Sequence, residues 1–185
     1  MKTLRFALLM LLAVNATAAA PQGWIVAGGA PNDYEFGVDD KSAPGQKSGY
    51  IKARPTAAAT GFGTLMQMIS ADDYRGGRWK LSARVRTENV NKAQLWMRVD
   101  GPDGKMNAFD NMGDRPITGS SPWTRYEVVL DVAPDSAAVA FGVLLAAGGQ
   151  VWVDDFKLER VTTATPLTGK DASRLRAPVN LDFED

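Results

Sequence analysis

The chain has 185 residues, 45% of them hydrophobic, and its 21 basic and 21 acidic residues balance. That suits one domain with a sizeable core, or one domain and a tail, and excludes the basic excess typical of nucleic-acid binding. With no cysteine and no histidine, disulfide frameworks, a lipid-anchoring thiol, Ser-His or Cys-His catalysis and histidine zinc sites are excluded as well.

Residues 1–18 read as a secretory signal peptide. Lys2 and Arg5 make a positive start, Phe6 to Val14 is an apolar run too short to span a bilayer, and Ala16-Thr17-Ala18 offers a small-x-small cleavage site. The expected compartment is the periplasm or the medium, with no membrane insertion once the signal is removed. The alternative, a buried N-terminal helix, does not account for charge, apolar run and small residues occurring in that order.

Trp24 to Gly29 is a short apolar run ended by glycines, Pro31-Asn32-Asp33 a turn, and Tyr34 to Val38 a short strand. Asp39 to Ser48 is polar and reads as a loop. Gly49 to Ala53 and Gly61 to Ile69 are strand-like, the glycines of the second suggesting a bulge or a close backbone approach. Ser70-Ala71-Asp72-Asp73 caps one helical turn.

Trp79 to Arg86 has the clearest pattern: Trp79, Leu81, Ala83 and Val85 alternate with polar residues, as in a half-buried strand. Gln94 to Val99 follows, with Leu95, Met97 and Val99 on one face and Trp96 and Arg98 on the other. Asn107 to Pro122 is polar, rich in glycine and proline, and reads as a long loop. Arg125 to Val132 and Ala137 to Leu145 are strands. Val151 to Arg160 is the last, apolar at both ends with Asp154 and Asp155 at its centre. Val153 and Phe156 both want burial, so strict alternation must break at the acid pair, which predicts a bulge there. About eight short strands with turns between them and no long helix give an all-β fold, an antiparallel β-sandwich of jelly-roll type over residues 19–161. Residues 162–178 read as a linker and 179–185 as a terminal strand.

Trp152-Val153-Asp154-Asp155-Phe156-Lys157-Leu158-Glu159 resembles the closing strand of galactose-binding-like β-sandwiches, the architecture of many carbohydrate-binding modules. Gly61 to Gln67, Leu95 to Gly101, Phe109 to Pro116, Trp123 to Val132 and Ala140 to Leu145 resemble, in the same order, one poorly characterised group of such modules found alone or fused to AraC-type transcription regulators. The resemblance implies the fold and a binding role rather than a chemistry. Related modules often carry an Asn-Leu-Asp-Phe-Glu strand ahead of the Gly-Trp segment. Here Asn180 to Glu184 supplies that strand at the far end, so it is expected to dock on its own sandwich or on a neighbour's, the second giving self-association; the alternative is a free tail.

Two clusters are candidates for a site. Trp96, Arg98, Asp110, Asn111 and Arg115 combine an aromatic ring with planar hydrogen-bonding groups, as a sugar or small polar ligand requires. Asp33, Tyr34 and Trp123 are loop residues that could join them. The competing reading makes Trp96 core and pairs Arg98 with Asp110 or Asp114 to pin the loop. Asp154 and Asp155, with Glu184 if the terminal strand docks, are candidate ligands of a structural calcium ion; the competing reading is a carboxylate fixing a turn through backbone N–H groups, and no calcium-loop spacing is present. No phosphate-cradling glycine motif occurs. The expected function is that of a non-catalytic exported module binding a carbohydrate or small polar ligand, with a protein-interaction or self-associating module as the alternative.

Overall fold

A computed structural model describes residues 20–43 and 46–169. The signal segment 1–18, the terminal strand 179–185 and Glu184 lie outside the described residues. The strands are β1 (Ile25–Ala27), β2 (Tyr34–Ala43), β3 (Gln46–Ala53), β4 (Phe62–Ser70), β5 (Gly77–Asp100), β6 (Met106–Asp110), β7 (Ile117–Val132), β8 (Ala138–Ala146) and β9 (Gln150–Val161). All pairings are antiparallel.

The two strands expected at 79–86 and 94–99 are one ribbon of 24 residues, β5, and it organises the sandwich. Its first half pairs with β7 on one side and β9 on the other; its second half pairs with β6 and β8. One layer is therefore β2-β3-β9-β5-β7 and the other β1-β4-β8-β5-β6. Between the halves the ribbon turns a corner at Asn89, whose φ is +50°. Gly149 crosses that corner so closely that a Cβ on it would lie 2.5 Å from the Asn89 carbonyl oxygen, and its own φ is +96°. Only glycine meets both conditions without strain.

Alternation along each strand sends one set of side chains between the layers. Leu65, Leu95, Met97, Val143 and Leu145 from one layer meet Ile51, Leu81, Val85, Val128 and Val151 from the other, all buried. Trp24 closes one end of this core against Phe141 and Phe156.

The bulge expected at the acid pair is present. Ser82 is in register with Lys157 and Arg84 with Asp154, so Asp155 and Phe156 together oppose Ala83. Asp155 takes a φ of +51°, and the extra residue turns Phe156 inward against Trp24 while Val153 stays buried.

Two expected loops are strands. Residues 39–43 and 46–48 extend the β2–β3 hairpin, Asp39 pairing with Ser48; a solvated hairpin needs backbone partners rather than apolar side chains. The stretch 107–122 is β6, a short turn at 111–116 and the first part of β7, its polar composition reflecting an exposed edge. Beyond β9, residues 162–169 stay on the sandwich: Thr168 exchanges hydrogen bonds with the backbone of Val129, and the buried Arg78 guanidinium donates to the carbonyls of Thr163 and Thr165 as well as to both Asp131 oxygens.

Candidate functional site

The outer face of the β1-β4-β8-β5-β6 layer carries a groove of about 510 Å³. Its shape follows from side-chain size. The central strand β8 presents only Leu144 and Ala146 to it, while β4 on one flank contributes Phe62, Thr64 and Met66. On the other flank the period of two brings Lys92, Gln94, Trp96 and Arg98 of β5 to the same face, and β6 and the turn after it add Phe109 and Asn111. Gly142 and Ala146 keep the middle low on either side of Leu144, and larger residues at the sides make a trough.

Trp96 forms the floor. It is in register with Gly142 on β8, and Gly142 with Met66 on β4. Its indole Nε1 nevertheless donates to Thr64 Oγ1 on β4 at 2.9 Å. Adjacent strands are about 4.8 Å apart, so the indole must lie across β8, where Gly142 offers no side chain to obstruct it. Thr64 completes the relay by donating to the Val143 carbonyl at 2.8 Å. Trp96 is 7% exposed, so it is a fixed base for the groove rather than a free stacking plate. The exposed ring is Phe62, at 38%.

Gln94 is the anomaly. It is 2% exposed and lines the groove, yet its amide Nε2 is a buried donor without a hydrogen-bond partner. Such a group costs about 1–3 kcal/mol.

Trp96, Arg98 and Asn111 thus share one groove, and Asp110 and Arg115 do not join it. Phe109 on β6 and Asn111 just after it point to the groove, and Asp110 between them points away. The Asp110 carboxylate, 1% exposed, is bonded by Arg115 Nη2 and by the Met112 amide, and Gly169 packs on it. Burial alone would lower the Arg115 guanidinium, but hydrogen bonds and charge from Asp110 and then Asp114 outweigh it and hold it above its ordinary value. This pair ties β6 to the following turn. Arg98 bonds Asp100 instead, through Nε at 3.0 Å and Nη2 at 2.9 Å. Tyr34 is core, with its hydroxyl on the Gly61 carbonyl; Asp33 accepts from the Ala58 amide; Trp123 lies on the other layer beneath Arg84.

At the bulge, Asp155 pairs with Arg125 and has Lys157 Nζ at 3.7 Å, while Asp154 Oδ1 accepts from the Asp155 amide at 2.7 Å. The hydrogen bond from Arg125 holds the Asp155 carboxyl below its ordinary value against the opposing effect of burial, with Lys157 adding to the lowering. Both carboxylates are engaged in fixing the bulge, and among the described residues no group of three acidic side chains is close enough to hold a metal ion.

Sequence reasoning missed Phe62, Lys92 and Gln94. The alternation that set Trp96 and Arg98 apart from Leu95 and Met97 also assigns Gln94 and Lys92 to their face, so the signal was present; Phe62 required the β4–β8–β5 register, which is non-local.

No protein-family model matches the chain. It is similar to an uncharacterized HTH-type transcriptional regulator, YbfP, of Bacillus subtilis (strain 168), with 41% identity over 168 residues, 89% of this chain and 57% of that protein. The chain thus spans little more than half the length of that relative. Among solved structures, the enzymatically active domain of bacteriophage CBA120 tailspike protein 4 aligns with a TM-score of 0.59 and 14% identity, over 76% of this chain and 20% of that one. The CBM22-1 xylan-binding domain of Paenibacillus barcinonensis Xyn10C aligns with a TM-score of 0.53 and 17% identity, over 80% and 91%. These likenesses establish a β-sandwich fold of the carbohydrate-binding-module type.

Proposed function

We propose that the protein is a non-catalytic module that holds a carbohydrate chain in the groove across β4, β8, β5 and β6. The observation that carries this reading is the trough itself, mainly apolar and lined by the polar side chains of Thr64, Gln94 and Asn111. Small-ligand sites are concave and largely apolar with a few fixed polar groups. Sugars present just that combination, with C–H faces for Phe62 and Met66 and hydroxyls for the side-chain amides along the groove. The likeness to a xylan-binding domain supports the same class of ligand. The non-catalytic reading is supported by the lack of a carboxylate among the described residues that line the groove, since glycoside hydrolysis ordinarily requires a pair.

The relative YbfP favours a second reading of the same groove. A helix-turn-helix needs helices, and the described residues of this chain contain none beyond one turn of 3-10 helix; in a regulator, a module of this kind would sense a ligand for a separate DNA-binding part. For this chain, the N-terminal signal pattern supports export, so that capture takes place outside the cytoplasm. Sequencing the mature N-terminus from a culture tests export: an intact Met1 on the folded protein refutes it.

Glycan-array screening followed by calorimetry tests the groove. The module should bind at least one oligosaccharide, with Gln94→Leu weakening it about three- to ten-fold, the worth of one neutral hydrogen bond. Binding that survives Gln94→Leu and Trp96→Ala unchanged would refute the assignment.

A further inference from the structure

We propose that the groove is built for an acidic saccharide, a chain bearing carboxylate groups, and that Lys92 and Phe62 form the end that reads the charged sugar unit. This rests on the groove reading above and names its ligand class.

Charge is the first argument. Two cations, Lys92 and Arg98, line the groove and no carboxylate does. They stand six residues apart on one face of β5, about 20 Å at strand rise. Arg98 is already neutralised, because Asp100 takes both Nε and Nη2. Lys92 is exposed and makes no ion pair among the described residues. Among the described residues the groove therefore has one balanced end and one end with an uncompensated positive charge.

Geometry is the second. Phe62 is in register with Ala146, and Ala146 with Lys92. Ring and ammonium stem thus flank a residue bearing only a methyl group, across two strand spacings of about 9.6 Å in all. Phe62 is backed by the Gly28–Gly29 turn: a Cβ on Gly29 would lie 3.1 Å from Phe62 Cε1. The turn supports the ring from behind and leaves it partly open to the groove. A sugar ring bounded by an aromatic face on one side and a carboxylate partner on the other fits this end. A small free anion does not use it, since an exposed ion pair with one lysine holds little by itself, whereas a chain anchored along Gln94 and the Trp96 floor brings its carboxylate to Lys92 at high effective concentration.

The test uses matched pairs titrated into the full chain by calorimetry: galacturonate oligomers against the same oligomers methyl-esterified, and glucuronate-substituted xylo-oligosaccharides against unsubstituted ones. The acidic member of at least one pair should bind about three- to five-fold tighter at low salt, and the advantage should shrink at physiological ionic strength. Lys92→Gln should bring the acidic-to-neutral ratio below about two-fold, while Lys157→Gln, on the other layer, should leave it unchanged. Equal affinity within both pairs, or a ratio that survives Lys92→Gln, overturns the acidic reading and leaves the carbohydrate groove standing. Failure of all four probes to bind overturns the acidic reading, and the groove reading falls as well if no oligosaccharide on the array binds.

Discussion

Gln94→Leu should stabilise the fold and weaken binding at once. The side chain is 2% exposed and its Nε2 has no partner, so the native state carries an unsatisfied donor worth about 1–3 kcal/mol. Leucine removes the donor and keeps an apolar contact with Leu144, its register partner on β8. Branching at Cγ changes the shape, and such changes forfeit up to about 1.5 kcal/mol. The net expectation is a gain of about 1 kcal/mol, which for a chain of this size raises Tm by roughly 2–4 °C. Urea unfolding followed by tryptophan fluorescence measures it, and an unchanged m-value would show that the two-state comparison holds. Calorimetry with the best oligosaccharide from the array supplies the other half, a loss of about three- to ten-fold. A variant destabilised by more than about 1 kcal/mol would mean that the amide is paired in the folded protein, and the premise of an unsatisfied donor would fail.

Gly142→Ala should disturb the groove from beneath. A Cβ there would lie 2.1 Å from the Leu65 carbonyl oxygen, so β4 and β8 must part; a loss of about 2–3 kcal/mol is expected, with altered near-ultraviolet dichroism as Trp96 loses its bed. Arg78→Met should cost about 2–4 kcal/mol, less than for a fully buried pair because Asp131 is 44% exposed, and should speed amide exchange at Thr168. Asp155→Asn keeps a residue that tolerates the left-handed backbone and removes the carboxylate. Because the Asp155 carboxyl is held below its ordinary value of 3.8, its contribution is present above that pH and is lost as pH falls through the lower folded value. Wild type should therefore exceed the variant in urea midpoint at neutral pH, and the two should converge progressively below pH 3.8; a gap that persists unchanged into acid refutes the pairing.

What was readable in the chain beforehand depended on range. The Trp79–Val85 alternation and the conflict between Val153 and Phe156 are local signals, and they sufficed for a half-buried strand and a bulge. Asn107 to Pro122 misled because polarity marks solvent exposure, and an edge strand is as exposed as a loop. Nothing local joins Trp79–Arg86 to Leu95–Val99 in one ribbon; that needs the corner where Gly149 from a distant turn meets Asn89. Among the site candidates, Asp110 and Asn111 are adjacent yet face opposite ways, which required the register of β6 on β5. The groove itself arises where Gly142 and Ala146 of β8 lie between large residues on β4 and β5, three strands scattered through the chain, and only their pairing makes it visible.

The most direct test follows the amide and indole signals of the isotope-labelled protein by NMR during titration with xylohexaose and with a galacturonate oligomer. The groove reading requires the Gln94 side-chain amide, the Trp96 indole N–H and the backbone of β4 and β5 around them to shift in a saturable way, while the Trp152 indole on the other layer stays put. Saturable shifts centred on Trp152 and Trp123, with Gln94 and Trp96 unmoved, would contradict it.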